Sequence, residues 1–143
     1  MKENPYIEES VSLTNNEQRI IMIHEQINVQ LKHAKDSLLR NDDGNFRKAT
    51  LRVLDTIATL DMHLNYKTNR AFSSEIHMWY RFWTLLLLEL REKKDLEVLK
   101  RLGDSVADFT AALKKGVDRR LIKKAREDNE SNIKKDQKFS YHT

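Results

Sequence analysis

At 143 residues, with three glycines, one proline and 39% hydrophobic content, the chain is sized for one buried core and is poor in the residues an all-β or loop-rich fold needs. It has no cysteine, which excludes disulfides, a cysteine-based zinc site and thiol chemistry and fits a reducing compartment. The net charge of +4 sits in the tail: Lys114–Lys138 holds ten basic and five acidic residues, while the rest of the chain holds 16 basic and 17 acidic.

Residues 1–13 predict an extended arm, with Pro5 blocking an early helix and the apolar Tyr6, Ile7, Val11 and Leu13 spaced irregularly. The stretch Met1–Thr14 is polar and acidic, unlike a secretory signal. Thr14-Asn15-Asn16-Glu17 has the spacing of a capping box, which places the start of a first helix at Thr14. Ile20, Ile23, Ile27, Leu31, Ala34 and Leu38 give that helix one apolar face. It should stop at Asn41-Asp42-Asp43-Gly44, which combines residues tolerant of left-handed backbone with N-cap candidates for the next helix.

The second helix is expected from about Asn45 to Asn65 and the third from Ser73 or Ser74 to Glu92. Asp95 is the candidate cap of the fourth, whose face carries Leu96, Leu99, Leu102, Val106, Phe109 and Leu113. Gly116 is placed to stop or kink it, and beyond Ile122 the apolar content runs out, which predicts a frayed helix or disorder. The fold class is therefore all-α: an antiparallel up-down four-helix bundle over residues 14–122, an arm over 1–13 and a basic tail over 123–143. The most apolar run, Ile76–Leu90, is broken by Arg81 and Glu89 and is shorter than the roughly 20 residues of a membrane span. No membrane insertion is expected, and the reading is of a soluble cytoplasmic protein.

Catalytic constellations are missing from the sequence. None of His24, His33, His63, His77 and His142 follows a glutamate by three residues, as a carboxylate-bridged di-metal bundle requires. These histidines read as surface or interfacial rather than as ligands. Gly44, Gly103 and Gly116 are too far apart for a phosphate-binding loop, and no serine sits in a nucleophile elbow. The expectation is no enzyme, no metal and no cofactor. The tail's Lys114, Lys115, Arg119, Arg120, Lys123, Lys124 and Arg126 could meet nucleic acid or an acidic partner surface, but acidic residues are interspersed and aromatics are few. A basic-tailed adaptor is thus the alternative reading, with nucleic acid disfavoured.

The informative anomaly is surplus apolar surface. On helix 2, Phe46, Ala49, Val53, Ile57, Leu60 and Leu64 form the main stripe, and Leu51, Leu54, Ala58 and Met62 form a second. On helix 3, Ile76, Trp79, Trp83, Leu86 and Leu90 form the main stripe, with Met78, Phe82 and Leu85 nearly opposite. The four leucines 85–88 point to every quadrant of that helix. A small bundle has one interior, so the extra stripes should meet a partner chain, a second copy in a homodimer, or covering segments of the same chain.

Several motifs in this order resemble a known family. Asn4-Pro5-Tyr6 precedes a long helix that is entered through a Thr-x-x-Glu cap and closes with Ala34 and Asn41-Asp42-Asp43. Helix 2 ends in Ile57, Leu60, Leu64 and Asn65, and Asp108-Phe109-Thr110-Ala111-Ala112 lies on helix 4. From about Asn4 to Arg120 the chain resembles the FliS-type flagellar export chaperones. That resemblance implies an antiparallel helical bundle in the cytosol that binds the C-terminal segment of flagellin, blocks its premature polymerisation and delivers it to the type III export apparatus. It also implies a movable cap at Asn4, Pro5 and Tyr6 and a helix 4 signature at Asp108 and Phe109, both counted with the second stripes as partner-binding. The chain departs from the family pattern at Asn15, Gln18, Arg52-Val53 and Leu113, and its tail is longer.

Overall fold

The computed structural model describes the backbone of residues 5–67 and 70–140, and the side chains of residues 17–67, 70–116, 126 and 127. Four helices follow in order: α1 (Pro5–Leu39), α2 (Asp43–Met62), α3 (Arg70–Lys93) and α4 (Leu96–Ser140). No strand occurs among the described residues. The chain divides into a unit of Met1–Thr110, which contains the bundle, and a unit of Ala111–Thr143, which is helical as far as Ser140.

The first unit is tied together by contacts that fix each helix against its neighbour. Asp61 meets His77 at one end of α2 and α3, and Arg91 reaches the Arg47 carbonyl and the Thr50 hydroxyl at the other, so these helices run antiparallel. Trp83 donates its indole N–H to Ser105 Oγ at 2.8 Å, and Phe109 stacks near Trp79, so α3 and α4 are antiparallel as well. Short connections favour this arrangement, because the two residues between α3 and α4, or the seven between α2 and α3, cannot carry the chain back along the bundle. Trp83, Phe46, Ile27, Ile57, Leu87, Leu90, Leu102, Val53 and Val106 are almost fully buried. Each large apolar side chain in such a core is worth roughly 1.5–3 kcal/mol.

The turn chemistry matches its residues. Asn41 takes the left-handed conformation (φ 57°), and Asp42 caps α2 by accepting the Asn45 N–H at 3.2 Å. These Asn45 bonds hold the Asp42 carboxyl below its ordinary pKa. Asp95 caps α4 by accepting the Glu97 N–H at 2.9 Å. Lys94, between α3 and that cap, is also left-handed (φ 54°), and its ammonium bonds to Asp43.

Four expectations need correction. Backbone from Pro5 onward is helical, so the extended arm expected over 5–13 and the start at Thr14 give way to one long α1, and residues 1–4 of that arm lie outside the described residues. Proline suits a first helical position, where its missing N–H would have no partner anyway. Helix α3 begins at Arg70 rather than at Ser73 or Ser74; Ser73 is buried, and its hydroxyl donates to the Asn65 carbonyl at 2.9 Å instead of capping. Helix α4 runs through Gly116 without stopping. Finally, His24 lies on no surface: it is fully buried.

Candidate functional site

Two contacts set the register of α2 against α3. Asp61 opposite His77 and Thr50 opposite Arg91 bring Leu51 level with Leu88, Leu54 with Leu85, Ala58 with Arg81, and Met62 with Met78. Helical spacing puts all of these on the outward sides of the two helices, away from the stripe that fills the core. Leu51, Met62, Met78, Leu85 and Leu88 are exposed, Met62 by 82% and Leu85 by 59%. Ala58 is exposed too, and Leu54 is half-buried with its side chain packed on the core. Apart from Phe82, the two surplus stripes are therefore one band across neighbouring helices.

Phe82, 40% exposed, lies to the other side of α3. With Glu75, Met78 and Trp79 it lines a shallow recess of about 400 Å³. Trp79 sits edge-on to Phe82, their ring centres 6.3 Å apart, and reaches Phe109 on α4 at 6.0 Å. Trp79 itself is 40% exposed and so belongs to this recess as much as to the core stripe assigned to it by spacing. Phe109 is half-buried, its ring perpendicular to Trp83 at 5.1 Å, and it helps to close the core. Asp108 is exposed. Asn4 and the side chains of Pro5 and Tyr6 lie outside the described residues.

The core also holds a buried polar pair. His24 Nδ1 is 2.7 Å from the Ile20 carbonyl, which can only accept, so Nδ1 carries the proton. Nε2 then accepts from the Tyr80 hydroxyl at 3.0 Å. Burial lowers the pKa of His24, partly countered by the Ile20 hydrogen bond, and this keeps the ring neutral. Burial, aided by the charge of Asp61, pushes the Tyr80 hydroxyl well above its ordinary value. Both groups are satisfied by each other and are screened from solvent, which gives them a structural role.

A second trough runs between α1 and α2. Its floor and walls include Ile23, Ile27, Gln30, Arg52, Asp55 and Leu60, and Met22 beside it is 62% exposed. Sequence reading did not single out this trough, because its Ile23, Ile27 and Leu60 lie on the main stripes, and it placed Trp79 on the core stripe; for Leu88 the signal available was its place in the run of four leucines. Among the described residues no group of three or more histidines, cysteines or carboxylates converges as a metal site would. None of the described helices is long and apolar enough to cross a membrane.

Among the described residues the geometry is thus a firm core with apolar side chains exposed on its exterior. No curated protein matches the sequence. The sequence model of the family described as flagellar protein FliS matches residues 1–120. That match spans well over half of the 143 residues, and the chain belongs to the FliS family of flagellar export chaperones.

Proposed function

We propose that this chain binds the C-terminal amphipathic segment of flagellin, or of a related exported protein, on the outward band of α2 and α3. The bound segment is one that would otherwise pack against copies of itself. Sequestration in the cytosol blocks premature polymerisation, and the complex is delivered to the type III export apparatus. The observation that carries this reading is the matched row of outward apolar side chains, Leu51 with Leu88, half-buried Leu54 with Leu85, and Met62 with Met78, all but Leu54 exposed. Asn4, Pro5 and Tyr6 compete for the same surface when the client is absent.

Magnitudes permit the function. Covering large apolar side chains yields roughly 1.5–3 kcal/mol each, and a band of this size offsets an association cost of about 4–15 kcal/mol. An amphipathic helix laid in a groove is the binding mode that such a band fits.

Calorimetric titration with a C-terminal flagellin peptide from the same cell tests it. Met62→Asp and Leu85→Asp on the band, and Phe82→Asp in the recess beside it, should each weaken binding at least about tenfold, since one large anchor is worth 1.4 kcal/mol or more. Their helical far-UV signal should stay intact, because all three side chains are exposed. Unchanged affinity in folded variants would remove the band as the client site.

A further inference from the structure

The outward band is not uniformly apolar. Arg81 stands in its middle, level with Ala58, the smallest residue of the band. Along α3 the positions three and four residues from Arg81 are His77, Met78, Thr84 and Leu85, so no carboxylate is placed to pair with it. Across the groove, Asp61 is taken by His77, and Asp55 lines the trough on the α1 side of α2. Among the described residues Arg81 makes no ion pair. An exposed cation therefore stands beside the smallest residue of the band, between two apolar pairs, Leu54 with Leu85 on one side and Met62 with Met78 on the other.

A purely apolar partner that covered this position would strip water from a guanidinium and leave it without a counter-charge, which is strongly unfavourable. A carboxylate at the same height removes the penalty and gains a charge-assisted, bidentate contact. From Met78 to Leu85 is seven residues, or about 10 Å of helix. A helical partner reproduces that spacing with apolar side chains at i and i+7 and an acidic one at i+3 or i+4, all on one face.

We infer that Arg81 is a specificity determinant that selects clients carrying a carboxylate between two apolar anchors one heptad apart. This rests on the export-chaperone reading of the α2–α3 band and adds the chemistry by which it tells one amphipathic helix from another. Electrostatic complementarity of this kind contributes chiefly to discrimination between partners.

The test is a charge swap, measured by calorimetry on the full-length chain with the C-terminal flagellin peptide and with peptides in which each Asp or Glu is changed singly to Lys. Arg81→Glu should weaken the parent peptide at least about tenfold, and one Lys peptide should lose affinity for the wild type yet regain it on Arg81→Glu. The difference should shrink at high salt, where exposed charges are screened. Arg81→Ala should fall between the two. If Arg81→Glu binds every peptide as the wild type does while Leu85→Asp fails to bind, the band holds the client but Arg81 selects nothing. If neither variant changes binding, or the wild type binds no peptide, the chaperone reading of this band falls and the inference with it. Arg81 is exposed, so both variants should keep the wild-type melting temperature, which is measured alongside.

Discussion

His24 shows how much one buried polar residue decides. Its ring is stacked between Tyr80 and Phe109, with centroids at 5.7 and 5.5 Å, and both nitrogens are bonded, so the neutral form is built into the junction of α1, α3 and α4. The unfolded chain takes up a proton near the ordinary value of 6.5, whereas the folded chain resists it to lower pH. The unfolded state then binds more protons, so this contribution is fully present above 6.5 and is lost as pH falls below it, by at most about 1.4 kcal/mol per unit. Urea unfolding should therefore show lower stability at about pH 5.5 than at about pH 7.5. The double variant His24→Phe, Tyr80→Phe, which keeps both rings and removes both polar atoms, should flatten that slope; an unaltered slope would assign it to other groups. The signal for burial was legible in position though not in residue type. His24 falls between Ile20 and Ile27 at the four- and three-residue steps of the core stripe, and general expectations about histidine outweighed the periodicity.

At the scale of the element, the helix interiors were legible and several boundaries were not. Apolar spacing placed Phe46, Val53 and Ile57 in the core of α2, and Ile76, Trp83, Leu86 and Leu90 in that of α3, because burial alone dictates that pattern. Stops and starts depend on small terms that local sequence offers in competing versions. Gly116 did not end α4, since one glycine costs a helix only about 1 kcal/mol and no proline follows to stop it. The α3–α4 corner joins two such terms of opposite sign. Asp95→Ala removes the cap on the Glu97 N–H and should cost about 1 kcal/mol in chemical denaturation, while Asp95→Asn should cost much less. Next to it, Lys94→Gly should stabilise the protein by up to about 1 kcal/mol, since glycine holds a left-handed φ without a Cβ penalty. The lost contact with Asp43 is solvent-exposed and offsets little of that gain. A destabilised Lys94→Gly variant would mean that this contact, rather than backbone conformation, governs the corner.

For the whole molecule, the division between folding and the proposed binding is drawn within one tetrad, Leu85–Leu88. The residue type is constant, so only direction differs: Leu86 and Leu87 are buried at 5% and 0%, while Leu85 and Leu88 are exposed at 59% and 50%. The sequence made the excess visible, as four leucines in a row cannot share one face. Spacing put Leu86 on the core stripe and Leu85 opposite it, but it did not say which of Leu87 and Leu88 faced the neighbouring helices, because that depends on the packing of α4 against Trp83 and of α2 against His77 and Arg91. Truncation should separate the two tasks. Leu87→Ala opens a cavity in the core and should cost about 2–5 kcal/mol of stability, lowering the melting temperature by many degrees. Leu85→Ala and Leu88→Ala should change stability by less than about 0.5 kcal/mol, because water already reaches both side chains. Their effect should appear instead in affinity for the flagellin peptide, with the double variant weaker than either single one. If the exposed pair proved as costly to stability as the buried pair, the outward band would be serving the monomer's own packing and would not be held in reserve for a client.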